Sequence, residues 1–128
     1  MNPEVKPMID GFFVMLGGGI GALLRYLISL LPCRLSFPLL TLLTNLLGAL
    51  LIGFLSGLAL RGKAISPRRM LFWKTGLCGG FTTFSTFSLE AYQLFTGGRC
   101  FLAAAYLLLS VVCCLAGVWA GHRLAAAL

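Results

Sequence analysis

Carboxylates are almost missing from this chain of 128 residues: Asp and Glu number three against ten Lys and Arg, and histidine occurs once. From so few acids and one imidazole, no nucleophile and base pair and no metal-ligand set can be assembled, which argues against an enzyme. Charge of either sign is scarce as well, at 10% of residues, while 59% are hydrophobic and the mean hydropathy is +0.99. A soluble domain carries roughly 25% charged residues, so lipid is the expected solvent. The five cysteines, Cys33, Cys78, Cys100, Cys113 and Cys114, are odd in number and include no C-x-x-C pair. Neither a disulfide framework nor a zinc site follows from them. His122, close to the C-terminus, reads as an interfacial residue rather than a ligand.

What the chain does have is long apolar runs, at residues 11–31, 38–60, 70–96 and 100–126, separated where Pro, Arg, Lys and Gly gather. A helix crossing the hydrocarbon layer needs about 20 mostly apolar residues. The expectation is therefore one all-α integral membrane domain over 1–128, with four transmembrane helices, short connections and no soluble catalytic part. The first run is too long for a signal peptide, and no small-residue cleavage pattern follows it, so it is read as a retained span.

The formal net charge is +7. In a soluble protein that would raise nucleic acid as a partner, but here the basic residues stand mostly at span ends, where they meet lipid headgroups and set orientation. With four spans, both termini and the middle loop share one side. That side holds Lys6, Arg61, Lys63, Arg68, Arg69, Lys74 and Arg123, and the other holds Arg34 and Arg99. A bias of this sign places the termini in the cytoplasm.

Polar groups inside a span are costly unless they face protein or water, so their positions are informative. The first span reads GGGIGALLRY from Gly17 to Tyr26. Gly17 and Gly21 form a small-x-x-x-small face for close helix approach, and Arg25 continues it one turn later. Snorkelling or structural pairing is the first reading of Arg25. In the second span Thr41 and Asn45 share a face, and the Asn45 amide fits either interhelical glue or N–H donors aimed at an anion. In the fourth span Tyr106, Ser110 and Cys114 recur at i, i+4 steps, a weakly polar stripe that fits a narrow uncharged wet path or helix packing.

The third span contains TGLCGGFTTFSTFSLEAYQ, from Thr75 to Gln93. Adjacent Gly79 and Gly80, followed by β-branched threonines, make a poor continuous helix and predict a break near mid-membrane. Non-helical backbone at that depth survives only within protein or lining a cavity, where freed carbonyls can coordinate a cation. Phe84 and Phe87 lie on one side beyond the break with Ser85 and Ser88 beside them. Packing is the commoner reason for such spacing, yet ring edges carry positive charge and would attract a small anion. Glu90, near the far end of this span, is expected to pair or to face water.

The string GLCGGFTTFSTFSLE resembles the signature of the Fluc (CrcB) fluoride channel family. The runs around Gly17 to Tyr26 and Thr41 to Asn45 are similar to the family's first and second helices, so the likeness covers essentially the whole chain. It implies a fluoride-selective channel exporting cytoplasmic fluoride passively across a bacterial-type cell (inner) membrane. The implied assembly is an antiparallel, dual-topology dimer of four-helix subunits, either a homodimer or one formed with a homologous partner. It also implies a central structural sodium ion on backbone carbonyls of the third-helix breaks, here Gly79 and Thr82. The matching pore positions are Phe84, Phe87 and Asn45, with Thr41, Tyr106 and Ser110 as the polar track and Ser85 beside the rings. Two positions depart from the family pattern: Leu40 stands where glycine is usual, and Cys114 where a hydroxyl is expected.

Dual insertion calls for balanced loop charges, whereas the count here is seven to two. The alternative function is a small multidrug-resistance-type proton-coupled exporter, which has similar length and span number. Such proteins need a mid-membrane carboxylate in the first span, where this chain has Arg25, with only Asp10 at the margin. A non-transporting assembly subunit would account for the glycine faces but not for the hydroxyl-rich break.

Overall fold

A computed structural model describes residues 5–62 and 65–128. Lys63, one of the seven basic residues counted on the terminal side, lies outside the described residues. The elements are α1 (Val5–Ser29), α2 (Leu39–Leu60), α3 (Pro67–Met70), a π-helical segment (Leu71–Cys78), α4 (Gly79–Phe81), α5 (Phe84–Thr96) and α6 (Cys100–Ala126). Among the described residues there is no strand.

Three helices are long and apolar enough to cross a membrane: Lys6–Ser29, Leu39–Leu60 and Cys100–Ala126. They make this a multi-pass membrane protein. Large apolar side chains such as Met15, Leu108, Leu115 and Trp119 point outward, as hydrocarbon surroundings require. The expected third span, 70–96, is not one helix: α3, the π-helical segment, α4 and α5 follow one another along it.

Glycines decide which helices touch. A Cβ on Gly17 would collide with the Phe72 carbonyl, and one on Gly21 with the Leu77 carbonyl. From the other side, Gly76 faces the Val14 carbonyl and the Gly17 Cα, and Gly80 faces the Gly18 carbonyl. Gly76 and Gly80 thus repeat the four-residue spacing of Gly17 and Gly21, and backbone meets backbone where the two pairs cross. In the same manner α2 and α6 approach through Gly53 against the Val118 carbonyl and Gly121 against the Leu50 carbonyl.

Two further contacts close one end of the bundle. Arg68 Nε donates to Asp10 Oδ1 at 3.1 Å, tying α3 to the start of α1. Gly57 near the end of α2 lies against Ala125 and His122 near the end of α6. The described basic residues Lys6, Arg68, Arg69 and Arg123 stand on the elements gathered there, and Arg61 directly follows α2. Ser66 caps α3, its hydroxyl accepting from Arg69 N–H, and Pro67 at the first helical position needs no hydrogen-bond partner for its nitrogen.

Candidate functional site

Helical backbone runs through Gly79 and Gly80 and stops at Phe81. Thr82 (φ −81°, ψ 157°) and Thr83 (φ −149°, ψ 121°) are extended, and α5 begins at Phe84. The interruption therefore falls on the threonine part of the glycine–threonine stretch that the helix propensities mark as weak, and its glycines stay helical. Gly79 itself is helical, at φ −63° and ψ −37°. Thr82 still closes the helical turn behind it, whereas Thr83 leaves the helix for other partners. Thr82 Oγ1 donates to the Cys78 carbonyl at 2.9 Å, beside the Thr82 N–H at 3.0 Å. Thr83 Oγ1 accepts from Thr86 N–H at 3.2 Å and so caps α5.

Asn45 completes the exchange. Its Oδ1 accepts from Thr83 N–H at 2.8 Å and its Nδ2 donates to the Thr83 carbonyl at 3.1 Å. The amide satisfies both backbone groups of the residue that has left the helix, which lipid cannot do. The glue function is thereby present, and one of the two amide hydrogens remains for another acceptor. Gly48, less than a turn along α2, leaves space that the Thr82 side chain fills.

In a continuous helix Thr83 N–H would close onto the Gly79 carbonyl; here it turns to Asn45, so that carbonyl loses its usual donor. A Cβ on Gly79 would meet nothing within 4 Å. The next carbonyl, of Gly80, accepts from Arg25 Nε at 3.3 Å. Arg25 is thus paired across 55 positions of sequence to the last helical turn before the interruption.

A second polar centre forms around Glu90. Thr41 Oγ1 donates to Glu90 Oε1 at 2.8 Å, and Tyr106 Oη donates to Oε2 at 2.7 Å. One carboxylate gathers the two hydroxyls read as parts of a track, and sequence reasoning left its role open between pairing and solvent. The available signal was that an acid inside a hydrophobic span needs partners. Ser110, 5% exposed, has a buried hydroxyl with no hydrogen-bond partner among the described residues.

The phenylalanines divide. Phe87 is 8% exposed and packs on Tyr106, with ring centroids 5.2 Å apart and planes at 57°. Tyr106, fully buried, also meets Phe37 edge-on at 5.4 Å. Phe84 is 78% exposed and touches Phe87 at 5.6 Å with a 47° tilt. Ser85 lies 3.3 Å from the Thr83 hydroxyl, while Ser88 bonds back to the Phe84 carbonyl at 2.9 Å.

Two grooves border this region. The larger, about 590 Å³, is lined by Asn45, Gly79, Thr82, Phe84, Phe87, Ser110 and Cys114 among others. The smaller, about 440 Å³, is lined by Arg25, Leu40, Thr41, Thr86 and Glu90 among others. Thr83 stands between them and borders both. The departures Leu40 and Cys114 therefore fall on opposite grooves.

A family profile described as CrcB-like protein, camphor resistance (CrcB), matches residues 12–122. The chain belongs to the CrcB-like family. Among similar proteins, one from Azobacteroides pseudotrichonymphae genomovar. CFP2 is 43% identical over 116 residues, covering 88% of this chain and 93% of that one. A protein of Ruminiclostridium cellulolyticum is 44% identical over 124 residues, with 94% and 95% covered. One of Pyrococcus horikoshii is 42% identical over 126 residues, with 98% of each covered. Each of the three is named a fluoride-specific ion channel, FluC. The CrcB-like match reaches from within α1 to near the end of α6, so the interruption, both grooves and the Glu90 centre all lie inside it.

Proposed function

We propose that this protein is a fluoride-selective channel that lets cytoplasmic fluoride leave passively across a bacterial-type inner membrane. The observation that carries the reading is the Thr82–Thr83 interruption, stitched to Asn45 and continuous with a groove walled by hydroxyls, an amide and phenyl rings. Relatives similar over nearly the whole chain carry the name of that activity. Fluoride would exchange most of its hydration for the free Asn45 N–H, the hydroxyls of Ser85 and Ser110, and the edges of Phe84 and Phe87. Thr41 and Tyr106, gathered by Glu90, would continue the track. Selectivity of this kind rests on bore and donor number, and conduction on binding weak enough for exit.

The working unit in this reading is an antiparallel dimer inserted both ways, with the interrupted segment as its fourth crossing and the interruption near mid-membrane. Support comes from Phe84, whose ring is 78% exposed beside polar groups that lipid would not satisfy. A second, oppositely inserted copy would cover that face and complete two pores. The carbonyls of Gly79 and Thr82 fit a structural sodium ion. The first has lost its helical donor and opens to the larger groove, and hard oxygen donors suit a hard cation. When bound there, sodium would supply positive charge that holds the two interruptions together.

The exporter alternative needs a carboxylate free to exchange protons against a cationic cargo. Asp10 is paired with Arg68, and Glu90 already accepts from two hydroxyls. The deciding experiment is fluoride efflux from liposomes holding only the purified chain, with and without sodium. Fluoride release that chloride does not share is expected; equal chloride release ends the selectivity claim. Proton-driven efflux of a lipophilic cation would replace this reading with the exporter.

A further inference from the structure

Lys74 lies inside the π-helical segment, four residues past the end of α3, and is exposed while Gly76, Leu77 and Cys78 just beyond it are buried. Its side chain lines the larger groove, together with Asn45, Gly79, Phe84 and Ser110. Among the described residues it is the one charged residue lining that groove; the rest of the described wall is amide, hydroxyl, thiol, ring, aliphatic side chain or glycine backbone. No hydrogen bond or ion pair engages it among the described residues. The described carboxylates are elsewhere, Asp10 on Arg68 and Glu90 in the other groove. The smaller groove, by contrast, holds Arg25 and Glu90 together, charges of opposite sign.

An ionisable side chain within a membrane segment stays charged only where it faces water or a partner. Lys74 has no hydrogen-bond or ion-pair partner among the described residues and opens on a groove. We propose that Lys74 is the anion-recruiting residue of the larger groove: its unpaired charge raises the local concentration of a small anion beside Asn45 and Phe84. This rests on the channel reading and adds to it a residue that sets entry rate. Placed at the groove wall and not in the narrow track, the charge attracts without trapping, and a low-dielectric wall extends its reach.

The test measures fluoride efflux from liposomes of purified protein at ionic strengths of about 0.01 M and about 1 M, where the screening length is about 30 Å and about 3 Å. Impermeant salt sets the ionic strength. Lys74→Gln is expected to slow efflux about three- to tenfold at the lower ionic strength and to converge on the wild type at the higher. Lys74→Arg, which keeps the charge, should match the wild type at both. Size-exclusion profiles verify that the variants assemble. Should Lys74→Gln fail to assemble, the wild type alone still decides, since its efflux must fall as ionic strength rises. Efflux that ignores ionic strength in the wild type overturns the inference, and so does equal slowing of Gln and Arg variants at both ionic strengths. A wild type that releases no fluoride at all instead overturns the channel reading beneath it.

Discussion

The Asn45 amide grips Thr83 by both backbone groups, Oδ1 on the N–H at 2.8 Å and Nδ2 on the carbonyl at 3.1 Å. A side chain on α2 thereby does for Thr83 what the next helical turn does elsewhere. Removing it leaves a donor and an acceptor unpaired in a setting where water is scarce. Asn45→Ala should cost about 1–3 kcal/mol, since interhelical hydrogen bonds in membranes are individually modest and two are lost. Asn45→Asp keeps the acceptor for the N–H but sets a carboxylate against the Thr83 carbonyl, and should be at least as damaging. Thermal unfolding in detergent, followed by size exclusion, reads both. An unchanged midpoint in Asn45→Ala means that the interruption does not depend on this pair.

Glu90 makes a different kind of centre, because its two partners are hydroxyls that can also accept. Glu90→Gln can preserve both contacts with rotated hydroxyls, so stability should change by less than about 1 kcal/mol. Glu90→Ala strands Thr41 and Tyr106 together and should cost about 1–2 kcal/mol more than the Gln variant. Comparing the two melting midpoints separates the need for charge from the need for acceptors. A Gln variant as unstable as the Ala variant shows that the negative charge itself is required.

Three of the four expected spans follow from hydropathy alone, because an apolar window of crossing length is a property of the segment and of nothing else. Residues 38–60 and 100–126 coincide with α2 and α6 to within a residue, whereas α1 begins ahead of residue 11, at Val5. Pro7 does not prevent that start, since its nitrogen lies in the first turn, where N–H groups have no helical partner. The third segment was legible only as a weak helix. Propensity marks the whole glycine–threonine stretch as weak and does not say which part yields; its glycines are held helical by what they allow, the close approach of Gly80 to the Gly18 carbonyl. Thr83 yields because Asn45 and Thr86 receive it. The Glu90 centre was out of reach for a related reason: Thr41, Glu90 and Tyr106 come from three separate segments, and no spacing rule links them.

Insertion in both directions can be read from two cysteines. Cys33 lies in the α1–α2 connection and Cys100 at the start of α6, and both are exposed. With four crossings these positions share one side of the membrane, opposite the end where Asp10 meets Arg68. Under the dual-topology reading, a membrane-impermeant maleimide applied to sealed vesicles should label about half of each cysteine, the remainder reacting only after permeabilisation. The seven-to-two charge bias works against this outcome. Labelling of nearly all or almost none before permeabilisation would show a single orientation, and with it a partner chain of opposite bias.

Phe84 and Phe87 are three residues apart and nearly opposite in burial, which makes them separable by substitution. Phe87 is wedged against Tyr106 in the core, so Phe87→Ile loses packing as well as an aromatic edge. A drop of about 1 kcal/mol is expected from the smaller side chain. Phe84 has little within its own subunit to lose, its one aromatic neighbour among the described residues being the Phe87 ring. Phe84→Ile should therefore leave the unfolding midpoint of the subunit within about 0.5 kcal/mol of the wild type, as an exposed position does. Under the channel reading fluoride efflux nevertheless falls at least tenfold in both variants, because an aliphatic chain offers no positive edge to an anion. Loss of efflux in Phe84→Ile without loss of stability isolates the ring's role in conduction. Retained efflux would return Phe84 to packing against a second chain and leave the anion to the amide and hydroxyl donors alone.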